Sequence, residues 1–232
     1  VSEPEKPTVK ALANALKVLS AFMTNRGRWT VTDLCSYTGF TKSHVSKILS
    51  EFRNAKVLVQ DPESREYSVG ASTMTLAGHY LSSQFIVREA IGHMRRLTTE
   101  LSHSSFLSIL DNDRVMHLVE VQGPHFLDVG TGVGMLLAPH ASAVGKLLYA
   151  FKSPDGGPEL PAGELVQHTP NTITSPKALM RQLKEIRRTG ISYTDEEHVL
   201  GVCAVAVPIF QADGKVVAAL ASMFPRHIVD AD

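Results

Sequence analysis

The feature that most constrains this chain is the segment TKSHVSKILSEF at residues 41–52. Val45, Ile48, Leu49 and Phe52 recur at intervals of three and four, which puts them on one stripe of an α-helix. Lys42, Ser43, His44, Ser46 and Lys47 then share the opposite face, which is small, polar and basic. Such a helix needs apolar partners for its stripe and keeps a polar face for something else.

The partners lie on either side of it. From Val9 onward, Leu12, Leu16, Leu19 and Phe22 repeat at helical spacing, and Asn25-Arg26-Gly27 ends the run. Thr30 is placed to cap a short second helix carrying Val31, Leu34 and Cys35, and Gly39 to close it, because a residue without a Cβ turns the backbone freely. After residue 52, VLVQ and REYSV flank Asp61-Pro62-Glu63-Ser64, a turn signal between two short strands. Three helices and a hairpin predict a winged helix-turn-helix over 9–70, behind a charged lead-in at 1–8 expected to be disordered. Trp29, the single tryptophan, is expected to anchor packing near the first β-bridge of this unit rather than to stack on a base.

Beyond it, the helical pattern of MTLAGHYLSSQFIVREAIGHMRRLTTEL is interrupted by Gly78 and Gly92. It predicts a linker helix within 71–85, near 72–83, and a helix near 86–102 that opens a larger domain, 86–232. The period then changes: SFLSILD, RVMHLVEVQ and FLDVGTG read as strands, followed by a helix at 141–152 and a Pro/Gly-rich loop, PDGGPELPAG. SPKALMRQLKEIRRTG carries a Ser175 cap, Pro176 at its first position and Gly190 at its end. ISYTD, CAVAVPIF and KVVAALASM complete the strands, the last two joined at Gln211-Ala212-Asp213-Gly214. Helices and mostly antiparallel strands in one block predict an α+β domain.

Composition narrows the classes. No run approaches the roughly 18 apolar residues needed to span a membrane, and the first residues carry no signal-peptide pattern, so a cytoplasmic protein without membrane contact is expected. Cys35 and Cys203 lack the spacing of a zinc or redox motif and are expected to be buried thiols. The formal net charge is zero, which argues against a protein that coats nucleic acid indiscriminately. Residues 1–70 nevertheless hold ten Lys/Arg against seven Asp/Glu, the sign a DNA-binding head would give.

Three blocks, in order, resemble the IclR family of bacterial transcriptional regulators. The first is ALKVLSAF, TVTDLCSYTGFTKSHVSKILSEF and VLVQDPESREYSVG; the second APHASAVGKLLYA; the third GISYTDEEHVLGVCAVAVPIF. Departures from the family pattern fall at Thr194, Gln211 and Pro139. Family members generally close with a terminal helix, which the resemblance implies beyond PRHIVDAD, where this sequence stops. The resemblance implies a GAF-like effector-binding domain whose ligand, a small carboxylate or aromatic compound, alters DNA affinity.

For DNA, a helix N-terminus with Thr41, Lys42 and Ser43 suits phosphate, while His44 and Lys47, one turn apart, can reach bases. Lys47 is the first candidate and His44 the second; Arg53, Lys56 and Arg65 suit backbone or minor-groove contacts. For the effector, the resemblance implies a cavity bordered by Gly134, Met135, Leu136 and Ala141 and lined from the sheet by Thr194, Ala204, Ala221 and Met223. Three of those four sheet positions are apolar, so an effector with substantial apolar surface is expected, such as an aromatic acid or a phenol.

No catalytic residue, metal or cofactor is expected. Asp195-Glu196-Glu197-His198 has suitable groups, but four consecutive residues cannot aim at one centre; a capped loop or helix start beside the pocket fits better. Ser142 has no identifiable base, and HASAVGKLL lacks phosphate-loop spacing. The leading expectation is a ligand-responsive regulator binding a partly palindromic operator as a homodimer or homotetramer. The alternatives are an enzyme with an accessory winged helix and a winged helix used only for protein contacts.

Overall fold

The computed structural model describes residues 9–111, 113–124, 132–153 and 156–228, in two compact units that divide between Ser83 and Gln84. The expected lead-in at 1–8 and most of the strand expected at FLDVGTG lie outside the described residues.

In the first unit, α1 (Lys10–Ala21), α2 (Val31–Thr38) and α3 (Lys42–Asn54) are followed by the antiparallel hairpin β1 (Leu58–Gln60) and β2 (Tyr67–Val69), then by α4 (Thr73–Ser83). The Thr30 hydroxyl accepts from Asp33 N while the Asp33 carboxylate accepts from Thr30 N, a reciprocal cap that starts α2 where Pro or Gly is absent. Gly39, at φ 75°, ends it in the left-handed conformation, which sets the tight turn into α3. Between β1 and β2, the Asp61 carboxylate accepts from Glu63 N and Ser64 N and closes the expected turn.

Val18, Ala21, Leu34, Val45, Leu49 and Leu58 are fully buried and form the core with Trp29 and Tyr67. Trp29 pairs with Tyr67 through an isolated antiparallel bridge and packs edge-on against Tyr37, the anchoring role expected of it. In helix α1, Leu19 and Phe22 pack on the core, whereas Leu12 and Leu16 are 58% and 54% exposed. The helix has two apolar stripes, and the second faces away from its own unit.

The second unit contains α5 (Phe85–Leu101), β3 (Ser104–Asp111), β4 (Arg114–Val121), β5 (Leu136–Leu137), α6 (Ala143–Ala150), α7 (Pro176–Thr189), β6 (Ser192–Asp195), β7 (Val202–Phe210) and β8 (Val216–Pro225). The six strands form one antiparallel sheet in the order β5-β4-β3-β8-β7-β6. Side chains alternate across it. Ser105 turns to α5, bonding Thr98 and Met94 O, whereas Phe106 and Ser108 face the α6 side.

Helix α6 is buried along its whole length, and Leu179, Leu183 and Ile186 of α7 pack with its Leu147 and Leu148 in one core. Ser175 caps α7, Pro176 occupies its first turn and Gly190 closes it in the left-handed conformation, as expected from the sequence. Among the described residues no helix is long and apolar enough to cross a membrane. Both cysteines are free; Cys203 is buried as expected, but Cys35 is only half-buried, at the edge of the first core.

Candidate functional site

The exposed face of α3 is the first candidate. Thr41 caps the helix, its hydroxyl accepting from His44 N, and no acidic residue sits in the first turn to cancel the positive end of the helix. Thr41, Lys42, Ser43, Ser46 and Lys47 are all exposed. His44 is different: half-buried, its Nε2 lies 3.0 Å from Asn14 Nδ2 of α1, and its ring meets the Phe40 ring edge-on. Its imidazole is therefore engaged between α1 and α3 in this arrangement. Arg53 Nη1 donates to Gln60 Oε1, whose amide donates to Arg65 O, so the end of α3 and the hairpin turn are tied together. Arg65 holds a left-handed φ of 60° in that turn, and its own N–H donates to Asp61 O.

The second candidate is a cavity of about 70 Å³ in the other unit, between the sheet and the start of α6. Phe106, Leu137, Val144, Ala204, Ala221 and Met223 make its wall largely apolar; Thr194, Ser142, Cys203, His117 and His198 add polar atoms. Ser142 caps α6 by accepting from Gly145 N and itself donates to Ala138 O. His117, 6% exposed, has Nδ1 2.7 Å from Ser108 Oγ and lies against the Phe106 ring at 4.6 Å. Burial pulls its pKa down to about 4, so the imidazole is neutral at pH 7.

Behind the cavity, Lys146 and Glu197 form a buried ion pair, their side chains 0% and 7% exposed. Burial pulls the ammonium down and pushes the carboxyl up, and each partner opposes the shift of the other. Lys146 Nζ also donates to Gln182 Oε1 and Tyr193 O. Three acceptors around one nitrogen match the three donors of an ammonium, so we assign the charged form. The four residues 195–198 disperse as expected: Asp195 pairs with Arg226, Glu196 accepts from Gly201 N, Glu197 meets Lys146, and His198 turns to His168 and the cavity.

With both surfaces described, comparison with known proteins decides the family. Residues 11–62 match the IclR helix-turn-helix domain and residues 78–230 match the bacterial transcriptional regulator IclR C-terminal domain. The chain belongs to the IclR family. It is similar to the HTH-type transcriptional regulator XynR of Escherichia coli K12, at 28% identity over 97% of this chain and 90% of that one. A crystallised IclR-type regulator from Silicibacter sp. TM1040 superposes with a TM-score of 0.79 at 26% identity, covering 96% of this chain and 88% of that chain. The inducer-binding domain of the PobR transcription factor from Acinetobacter, a double mutant in complex with 3-hydroxybenzoic acid, matches at 26% identity. Its TM-score is 0.54, and the match covers 62% of this chain and 85% of that one.

This IclR-family chain is accordingly a DNA-binding transcriptional regulator and not an enzyme. Of the residues expected from the resemblance to form its cavity, Ala141, Thr194, Ala204, Ala221 and Met223 line it; Gly134, Met135 and Leu136 do not. Leu136 and Leu137 lie on the edge strand β5, where successive side chains point to opposite faces, and it is Leu137 that reaches the cavity. Gly134, at φ 81°, makes the turn before β5 and donates its N–H to His117 O. The sequence reading missed Phe106 and His117, with Ser108 bonded to His117, whereas His198 falls in the segment expected beside the pocket. No motif carries Phe106, Ser108 or His117, and the polarity of Ser108 and His117 does not single them out in strands that also hold Ser104, Ser105, Arg114 and Glu120.

These histidines are expected to make the folded chain less stable in acid. The unfolded chain binds a proton at position 117 below about pH 6.5, the folded chain only below about 4. The stabilisation is therefore complete above pH 6.5 and falls by about 1.4 kcal/mol per pH unit as pH drops toward 4, about 3 kcal/mol in all. His168 and His198 are shifted down mainly by burial and add in the same direction. Urea midpoints at pH 7, 6, 5 and 4 should fall steadily, and His117→Phe should flatten the profile.

Proposed function

We propose that this regulator reads a partly palindromic operator through α3 and that a small, mostly apolar molecule in the sheet cavity changes its operator affinity. Lys47 is the leading base-reading residue, with Thr41, Lys42, Ser43, Arg53 and Arg65 as backbone contacts; His44 reaches DNA only by leaving Asn14. The observation that carries the DNA side is an exposed, acid-free first turn on α3, with Lys42 and Lys47 beside small hydroxyl side chains. The effector side is supported by the apolar cavity wall and by the hydroxybenzoate bound to the Acinetobacter relative. An aromatic acid or phenol suits both.

A homodimer or homotetramer is the working assembly, because one small head makes few contacts and twofold pairing doubles them. The outward stripe of α1 (Val9, Leu12, Leu16) and the exposed Met74, Leu76 and Tyr80 of α4 supply apolar surface for it. We assign 9–70 to the DNA head, 71–85 to the linker, 86–232 to the GAF-like effector domain, and the cytoplasm as the place of action.

Linkage sets the mechanism: the effector shifts occupancy only by binding the DNA-competent and incompetent arrangements unequally, with couplings of about 1–3 kcal/mol. The test is a fluorescence-anisotropy titration of DNA from upstream of the gene with wild type and Lys47→Ala at two salt concentrations. Lys47→Ala should weaken binding by about 1–3 kcal/mol, roughly 5- to 150-fold, with relaxed preference at one base pair. Weak binding of equal strength by both proteins would remove α3 as the reading helix.

A further inference from the structure

His117, a polar residue of the cavity lining that sequence reasoning missed, has one ring nitrogen with no hydrogen-bond partner among the described residues. His117 is buried, its Nδ1 is engaged by Ser108 Oγ at 2.7 Å, and Nε2 remains. Ser108 is itself fully buried on β3, directly across from His117 in the β3–β4 register. Phe106 lies against the ring and limits its rotation. An imidazole nitrogen turned from water into a largely apolar cavity is costly unless something hydrogen-bonds it.

We infer that His117, positioned by Ser108, selects the effector by hydrogen-bonding an uncharged oxygen on it, a phenolic hydroxyl or a carbonyl. This rests on the reading of the cavity as the effector site and adds which chemical group is recognised there and by which residue.

The chemistry follows from the pair. A serine hydroxyl can donate or accept, so Ser108 can hold either neutral tautomer of the imidazole. When Ser108 donates to Nδ1, Nε2 carries the proton and presents a donor; when Nδ1 donates to Ser108, Nε2 presents a lone pair. The pair therefore serves a phenolic O–H and a carbonyl oxygen alike, with no net charge brought into the wall. Charge is disfavoured there because desolvation already keeps the imidazole neutral to well below pH 7. A ligand oxygen that reaches Nε2 satisfies it, and a ligand that places only C–H there leaves it unpaired.

The test is calorimetric titration of the full chain with benzoate, 3-hydroxybenzoate and 4-hydroxybenzoate, probes that differ only by one hydroxyl. Wild type should bind at least one hydroxybenzoate about tenfold more tightly than benzoate. His117→Phe should bring that ratio to about one while retaining benzoate binding, and His117→Gln, which keeps a donor and an acceptor, should restore part of it. Ser108→Ala, which leaves the ring in place but unheld, should reduce the ratio without abolishing it. A role in packing alone would shift all three probes together and leave the ratio unchanged.

A ratio unchanged in folded His117→Phe overturns the inference and leaves the cavity reading intact, as does a wild type that binds all three probes equally. If wild type binds none of the three, the cavity reading fails and the inference goes with it. If His117→Phe does not fold, the ratios in His117→Gln and Ser108→Ala decide: preserved in full in both, they overturn the inference.

Discussion

Replacing Lys146 with alanine is expected to destabilise the C-terminal unit by about 3–5 kcal/mol, because the Glu197 carboxylate is then left buried without its counter-charge. Glu197 Oε1 bonds Lys146, and Oε2 is buried with no hydrogen-bond partner among the described residues, so the carboxylate keeps only the weaker attraction of His140. The large single-mutant cost does not mean that the pair itself stabilises the fold by that amount, since both ions were desolvated to form it. A double variant, Lys146→Met with Glu197→Leu, removes both charges at similar volume and should recover most of the loss. Urea unfolding of the two single variants and the double one gives the cycle. A loss under about 1 kcal/mol for Lys146→Ala would show that Glu197 carries a proton in the folded chain, against the charged assignment made from the three acceptors around Nζ.

Gly145→Ala should cost about 3 kcal/mol, the upper end of what overpacking causes. An added Cβ there would lie 2.4 Å from Pro139 O, 2.6 Å from Pro139 Cα and 2.6 Å from the Ser142 hydroxyl. The first two are backbone and cannot rotate aside. Relief requires the start of α6 to move away from residues 138–142, which also line the cavity through Ala141 and Ser142. The variant is therefore expected to lose hydroxybenzoate binding along with stability, while operator binding through α3 persists as long as the protein is kept below its unfolding midpoint. Both readouts on one preparation, urea unfolding and anisotropy, test this; a wild-type midpoint would mean that α6 has room that the close approach denies.

The DNA head was legible because its signals are local. Thr30 with Asp33, Gly39 at the turn, Thr41 as a cap, and Asp61 bonding the next backbone N–H groups each act within a few residues. The 3.6-residue period of Val45 and Leu49 then fixes which face of α3 is buried. The same period does not divide α1, where Leu12 and Leu16 fit it as well as Leu19 and Phe22 do, and only packing distinguishes the two stripes. It also could not show that His44 is held by Asn14, thirty residues earlier, because a long-range hydrogen bond leaves no periodic trace.

In the effector domain the family motifs carried the reading. They placed Ala141, Thr194, Ala204, Ala221 and Met223 on one cavity, while Leu136 was one residue out of register on a two-residue strand, where a single step exchanges the faces.

By itself, the sequence determined two units, an α+β class, the exposed basic face of α3 and an apolar cavity, because helical period, caps and motifs are encoded in neighbouring residues. Tertiary structure alone decided what gives that cavity its chemistry. The register step from Leu107↔Val119 to Ser108↔His117 skips Leu118, a bulge that sets His117 opposite Ser108 on the α6 side of the sheet. Likewise Lys146 and Glu197, 51 residues apart, meet only because α6 lies across the sheet. Pairings of that kind depend on which backbone comes to lie beside which, and the free energy that selects them is shared across the whole core rather than held in any short segment.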